Sequence, residues 1–212
     1  KPPEVPIDKG SNGQVRFGTF NNLSKITDNT IRVWAQILTE MSNSTLTIKS
    51  KQLKIAQVRN KVIQNFLKYG VTKERIILLD RFEKTEHHLE AYNSIDIALD
   101  TYPYNGVTTT CEALWMGTPV ITLLGATHRS RVCGAILNSV GLQELITISE
   151  KDYASKCVNL AKDKNKCRAY SNLLRDKLLN SELMDAKGFR TSFEDMLNRI
   201  TNDKRSLSSP LR

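Results

Sequence analysis

IDIALDTYPYNGVTTTCEALWMGTPVITL, residues 95–123, is the stretch whose reading decides the fold. It opens on a short, mostly apolar run at 95–99 (IDIAL) and closes on another at 119–123 (PVITL). Each predicts a buried strand. Between them lie a polar loop, DTYPYNGV, and a helical segment over about 109–116 that Gly117 closes. Strand, loop, helix and strand in so few residues make one βαβ unit, which belongs to a parallel sheet.

The same alternation continues on both sides. Upstream, VRFGTF at 15–20 reads as extended, and the polar loop NNLSKIT follows. A helix then starts with Thr27 as N-cap and Asp28 and Asn29 in its first turn. Ile31, Trp34, Ala35 and Leu38 recur on it at helical spacing. A strand is expected over 45–48. The helix after it carries Ile55, Val58, Val62 and Phe66 on one face, with Gly70 just past its end. A strand over 75–79 and a helix over 84–93 lead back to the opening stretch. Downstream, the loop GATH precedes a helix over 129–139 that Gly141 closes, then a short strand at 145–146. Helices over 150–162, 164–179 and about 188–200 complete the pattern.

The fold class is therefore α/β: a doubly wound, Rossmann-like parallel sheet with right-handed crossovers and a helical C-terminal end. Residues 1–14, with three prolines and two glycines, read as a linker. Residues 15–200 form the lobe and 201–212 a polar tail. Ligands of such sheets sit outside the carboxyl ends of the strands. The informative residues are then those in loops that leave strands.

Composition narrows the classes. A chain of 212 residues buries roughly 70% of its unfolded surface and needs no disulfide or metal to fold. It holds no apolar run of about 18 residues, so no membrane partner is expected. The first residues lack a signal-peptide core and an initiator Met, which reads as a piece of a longer, cytoplasmic chain. The four cysteines have no CxxC spacing and fit reduced thiols better than a zinc site. The net charge of +9 favours anionic ligands. Its charges are scattered, however, as on solvated helix faces, and aromatics are few, so nucleic acid is not the expected partner.

The loop at 100–112 is the richest in chemistry. Gly106 permits tight or positive-φ geometry. Thr108, Thr109 and Thr110 place hydroxyls beside the open N–H groups of a helix N-terminus, an arrangement that favours phosphate. Thr109 and Glu112 also have the T-x-x-E spacing of a capping box, though a cap needs one threonine and not three. One turn into the helix, Glu112 is placed to accept hydrogen bonds from ribose hydroxyls. Lys25, in the loop after the first strand, can reach a phosphate as a mobile charge or stay a solvated lysine. His87 and His88 diverge by about 100° on a helix and make a poor metal pair. One of them stacking on a base or bonding to an acceptor is the better use, and a plain surface histidine is the alternative. Arg129 and Arg131 at a helix start oppose its dipole and hint at an anion nearby. No GxxxxGK[ST], GxGxxG or Ser/His/Asp pattern is present, which argues against P-loop kinases and ordinary nicotinamide binding.

FGTFNNLSKIT, EHHLEAYNSIDIALDTYPYNGVTTTCEALWMGTPVITL and SRVCGAILNSVGLQELI together resemble the C-terminal catalytic lobe of the O-GlcNAc transferase and SPINDLY family. These are inverting glycosyltransferases of GT-B fold, usually preceded by tetratricopeptide repeats. The resemblance runs from about Val15 to about Ile200. It implies a nucleotide-sugar donor, UDP-GlcNAc or GDP-fucose, no metal or other cofactor, and transfer to Ser or Thr of an acceptor protein. It implies that Lys25 is catalytic and neutralises the diphosphate, that His88 packs on the base, that Thr108 and Thr109 bind the phosphates, and that Glu112 holds the ribose. Asn22, Gly106, Val107 and Thr110 complete the donor-binding set.

Some positions depart from the animal O-GlcNAc transferases. Val107 stands where they have His, Thr85 replaces a lysine, Asn22 and Ser24 replace Gln and Tyr, and Glu112 replaces Asp. A GT-B enzyme closes two such lobes around its reaction and this sequence has one. It is expected to need the family's N-terminal lobe, to bind UDP or GDP weakly, and to transfer nothing alone. A sugar-nucleotide epimerase of the same fold and a non-catalytic nucleotide-sugar-binding module are the alternatives.

Overall fold

The computed structural model describes residues 3–6 and 13–207, with side chains through residue 202. Six strands form one parallel sheet: β1 (Val15–Thr19), β2 (Ser44–Lys49), β3 (Ile76–Leu79), β4 (Ile97–Leu99), β5 (Val120–Leu123) and β6 (Ile146–Thr147). Their spatial order is β3-β2-β1-β4-β5-β6. That is the doubly wound order with its switch point between β1 and β4. Phe17 stands opposite Ile97 there, and Gly18 opposite Ala98. A Cβ on Gly18 would lie 2.7 Å from Ile95 Cδ1, so this close approach requires glycine.

The described residues form eight α-helices: α1 (Asp28–Glu40), α2 (Ala56–Leu67), α3 (Thr85–Glu90), α4 (Thr108–Trp115), α5 (Val132–Ser139), α6 (Glu150–Lys162), α7 (Lys164–Leu179) and α8 (Ala186–Leu207). Every residue of β2 and β5 is buried, so both faces of the sheet are covered. The edge strand β3 alternates instead, leaving Ile77 exposed.

Thr27 caps α1, its hydroxyl accepting from the Thr30 N–H at 3.1 Å. The apolar stripe of α1 places Trp34, Ile37 and Leu38 in the core. Burying such side chains stabilises the fold by about 1.5–3 kcal/mol each. The Trp34 indole donates to Tyr153 Oη of α6 at 3.2 Å, and Tyr153 donates to the Asp100 carbonyl at 3.1 Å. The core thus ties two helices to the end of β4. Gly70, Gly117 and Gly141 have φ of +78°, +64° and +68° and stop their helices as expected.

Several boundaries differ from the sequence reading for local reasons. The expected helix over 84–93 is α3 followed by a 3-10 turn, Ala91–Ser94. The one expected from 129 is a 3-10 turn, His128–Ser130, with its own Thr127–Ser130 capping box, and then α5. The final helix extends to Leu207 rather than ending near 200. It keeps Phe189, Phe193, Met196, Leu197 and Ile200 exposed along one side. Of the expected linker, residues 3–6 carry no helix or strand, and the Pro3 carbonyl accepts from the Arg175 guanidinium at 2.9 Å. Residues 1, 2 and 7–12 lie outside the described residues, as do 208–212 of the expected tail. Among the described residues, no helix is long and apolar enough to cross a membrane.

Candidate functional site

The chain leaves β1 and β4 side by side, so two loops some 80 residues apart in sequence meet at the switch point. The loop after β1 turns through a 3-10 segment, Leu23–Lys25. Asn22 caps that turn, its Oδ1 accepting from the Ser24 N–H at 3.0 Å and from Gln52 Nε2 at 2.6 Å. Lys25 reaches across the sheet end and donates from Nζ to the Asn105 carbonyl at 2.9 Å. Its ammonium also lies 4.2 Å from the centre of the Tyr104 ring. Burial pushes the Lys25 pKa below its ordinary value, and the Asp100 carboxylate opposes that shift.

Asp100 organises the loop after β4. It is 3% exposed. Its Oδ1 accepts the Gly106 N–H at 2.7 Å and the Thr101 N–H at 2.9 Å, and its Oδ2 accepts the Thr122 hydroxyl at 2.6 Å. Burial raises its pKa to about 6, against the pull of those donors and of the Cys133 thiol. The loop is thereby drawn into a closed ring that ends at Gly106. Asn105 fastens it further, donating from Nδ2 to the Thr101 carbonyl and from its backbone N–H to the Arg129 carbonyl, each at 2.9 Å. Asn105 Oδ1 is buried and has no hydrogen-bond partner.

Helix α4 begins at this ring. Its N-cap is Val107, 47% exposed, and no side chain caps the helix. The first N–H groups of an uncapped helix stay open to an outside acceptor. The T-x-x-E capping box does not form, because the helix starts one residue earlier than expected and Thr109 falls inside it. The three threonines part company for a geometric reason, since successive helical residues are turned by about 100°. Thr108 is exposed. Thr109 is half-buried and donates to Asn21 Oδ1 at 3.1 Å. Thr110 is buried and turned away from the mouth, donating to the Gly106 carbonyl at 3.1 Å and contacting Cys133 Sγ at 3.3 Å. The expectation that three hydroxyls face one ligand is therefore corrected to two.

Of the two geometries expected for Gly106, the structure has the tight one. Its φ is not positive. Glycine is required because a Cβ would fall on Thr109 Oγ1 and 3.0 Å from Asn21 Oδ1.

A second group of side chains adjoins the mouth. His88 of α3 contacts Glu112 Oε2 through Nε2 at 2.9 Å and Lys49 Nζ through Nδ1 at 2.5 Å. The Tyr92 hydroxyl lies 3.2 Å from both Glu112 Oε2 and the Thr109 carbonyl. Phe20 packs on Tyr92 with ring centres 4.3 Å apart, and His88 meets Tyr92 edge-on at 5.9 Å. His87 is exposed, so the two histidines diverge as expected. Arg131 turns back to the Ala126 carbonyl at 2.8 Å. Among the described residues, no three His, Cys, Asp or Glu side chains converge as a metal site would require. The four cysteines are free.

Lys25, Gly106, Val107, Thr108 and Thr109 thus share one mouth, and His88 with Glu112 flanks it. Asn22 lies on the far side of the Lys25 turn, against Gln52. Asn21, Lys49, Asp100 and Tyr92 belong to the site but had no motif to announce them. The available signal was position: Asn21 and Asp100 are the first polar residues past buried strands. The space behind the mouth, lined by Thr19, Asn21, Tyr92, Asp100 and Thr109 among others, holds only about 10 Å³. The mouth is an open shelf, not a cavity.

A six-stranded parallel sheet of this order is a Rossmann-like lobe, and the solved structures it superposes on are GT-B glycosyltransferases. The model of glycosyl transferase family 41 matches residues 10–193, and the chain belongs to that family. It is 40% identical over 195 residues to a probable UDP-N-acetylglucosamine–peptide N-acetylglucosaminyltransferase SPINDLY from Eustoma exaltatum subsp. russellianum, covering 91% of this chain and 21% of that protein. The Hordeum vulgare protein of the same description is 37% identical over 192 residues, covering 91% and 20%. Among solved structures, a mutant of the Thermobaculum terrenum O-GlcNAc transferase superposes with a TM-score of 0.89 and 32% identity, covering 98% of this chain and 40% of that one. The chain spans about a fifth of the length of the curated relatives it matches.

Proposed function

We propose that this chain is the donor-binding lobe of a protein O-glycosyltransferase. It holds the nucleoside diphosphate of a sugar donor, UDP-GlcNAc or GDP-fucose, for inverting transfer to a Ser or Thr hydroxyl. One observation carries the reading: Lys25 crosses from the loop after β1 to the uncapped N-terminus of α4, so an ammonium, open N–H groups and the Thr108 hydroxyl face one shelf. That is a site for a diphosphate. The printed descriptions of the relatives favour UDP-GlcNAc as the first donor to test.

On this reading the acceptor oxygen attacks C1 of the sugar as the bond from C1 to the phosphate oxygen breaks. The hydroxyl proton leaves to a base outside this chain. Negative charge grows on the departing β-phosphate, where Lys25, Thr108 and the first N–H groups of α4 stabilise it. These groups do the work without a metal. The nucleobase of the donor lies on the His88 ring and a ribose hydroxyl donates to Glu112. The acceptor protein and the second half of the cleft come from outside these residues. The free thiols suit a cytoplasmic setting.

Titration calorimetry of this chain with UDP and GDP tests the proposal. Weak binding of at least one is expected, with no transfer from UDP-GlcNAc or GDP-fucose to a Ser/Thr peptide. A folded sample that takes up neither nucleotide overturns it.

A further inference from the structure

Lys49 ends β2, is 5% exposed, and has no place in the chemistry described so far. Burying an ammonium is costly unless something answers its charge. Here it meets His88 Nδ1 at 2.5 Å and the faces of Phe82 and Phe20, with ring centres 5.2 and 5.4 Å away. Burial lowers its pKa and Arg81 adds to that, while Glu112 and Asp80 pull the other way.

An ammonium carries only donors. The ring nitrogen that faces it must therefore be the bare acceptor, which puts the His88 proton on Nε2, opposite Glu112 Oε2. The donors then run in one direction, from Lys49 to His88 to Glu112. The Tyr92 hydroxyl reaches the same oxygen, at 3.2 Å. Both edges of the imidazole and one carboxylate oxygen are thereby occupied. What remains for a ligand is the face of the ring and Glu112 Oε1.

We infer that Lys49 is a positioning residue for nucleoside recognition: by donating to His88 it fixes the ring and, through Nε2–H, the Glu112 carboxylate, so that a flat base meets the ring face and a ribose hydroxyl meets Oε1. The inference rests on the donor-lobe reading for its ligand, and on geometry alone for the relay.

The test uses this chain and Lys49→Met, which keeps the apolar stem and removes the donor. Without ligand, the His88 Nε2–H proton is expected in the ¹H–¹⁵N spectrum of the parent, protected from water. In Lys49→Met it is expected to exchange into the solvent signal. With ligand, Lys49→Met is expected to weaken UDP or GDP, whichever the parent binds, by about tenfold, the scale of one charge-assisted hydrogen bond. Inorganic pyrophosphate, which has no nucleoside, is expected to bind within about twofold of the parent, and its binding also reports that the variant is folded. In a His88→Ala background, Lys49→Met is expected to add less than about twofold, because the two act as one unit.

A His88 proton equally protected in the variant overturns the relay. Equal losses for nucleotide and pyrophosphate, or full additivity with His88→Ala, overturn the positioning role in favour of a direct effect of charge. If the parent binds neither nucleotide, the donor-lobe reading fails, and the proton measurement still decides the relay.

Discussion

Replacing Asp100 with Asn removes the charge at the centre of the loop and little else. The amide oxygen keeps the Gly106 and Thr101 N–H groups, and the Thr122 hydroxyl can turn to accept from the new amide nitrogen. The effect on stability is then mainly one of protons. The carboxyl has an ordinary pKa of 3.8 and one of about 6 in the folded protein. Each unit is worth about 1.4 kcal/mol, so the difference is about 3 kcal/mol. The folded state holds the proton more tightly than the unfolded one. The contribution is therefore complete below pH 3.8, falls as the pH rises through about 6, and is absent above that. Between pH 4.5 and 7 it amounts to about 2 kcal/mol.

Urea melts of parent and Asp100→Asn at half-unit steps over that range measure it, because other groups cancel in the difference. The stability of the parent relative to the variant is expected to fall by about 2 kcal/mol from pH 4.5 to pH 7. A difference that stays level would refute the reasoning. It would mean that the four donors around Asp100 outweigh its burial and that the loop is held by an ordinary ionised carboxylate.

Lys25→Met in a full-length enzyme is expected to lower kcat by about 10²–10³, the cost of losing one fixed donor to a developing oxyanion, with a change in stability under about 1 kcal/mol. Because burial lowers its pKa, activity that needs the charged amine is expected to decline at a pH below that of an ordinary lysine, which a pH–rate profile of the parent reads. Gly106→Ala is expected to cost about 1–3 kcal/mol in a denaturant melt, as overpacking does, and to weaken nucleotide binding by more than about tenfold as Thr109 and Asn21 are pushed from their places. Neighbouring threonines are expected to separate cleanly: Thr110→Val costs about 1–3 kcal/mol by orphaning the Gly106 carbonyl, whereas Thr108→Ala leaves the melt within about 0.5 kcal/mol and weakens nucleotide binding instead.

What could be read in the sequence followed from periodicity and punctuation. The strands are short apolar runs, and Gly70, Gly117 and Gly141 mark helix ends through the one backbone region that only glycine enters freely. The α/β order, and the reading that loops leaving strands carry the site, come from those signals alone. The losses were of three kinds. Short 3-10 turns such as Leu23–Lys25 and Ala91–Ser94 bury few residues and leave no periodic trace. Helix α4 starts one residue earlier than expected, and at 100° per residue its three threonines cannot all face outward. The Lys49–His88–Glu112 relay was invisible for a third reason. It joins the end of β2 to α3 and α4, so it exists only after the strand order is known.

That relay and the Asp100 ring share a consequence for binding on the donor-lobe reading. Loops that must be ordered by their ligand subtract the ordering cost from affinity. Here the order is already in place. Asp100 fixes Gly106, Asn21 fixes Thr109, and His88 fixes Glu112, each by bonds between protein atoms. Lys25 differs, because its present acceptor is a neutral carbonyl. A phosphate oxygen offers the ammonium a charged acceptor in the same neighbourhood, so the exchange gains a charge-assisted bond for the loss of a neutral one. The site therefore has a rigid frame and one movable cation. The movable group is the one that must follow charge as the breaking C1–O bond leaves its electrons on the departing diphosphate, and stiffening it is expected to harm turnover more than binding. Lys25→Arg, with a bulkier and more rigid fork, poses that case directly: nucleotide affinity within about threefold of the parent and a kcat lower by about tenfold or more would fit, and equal losses in both would not.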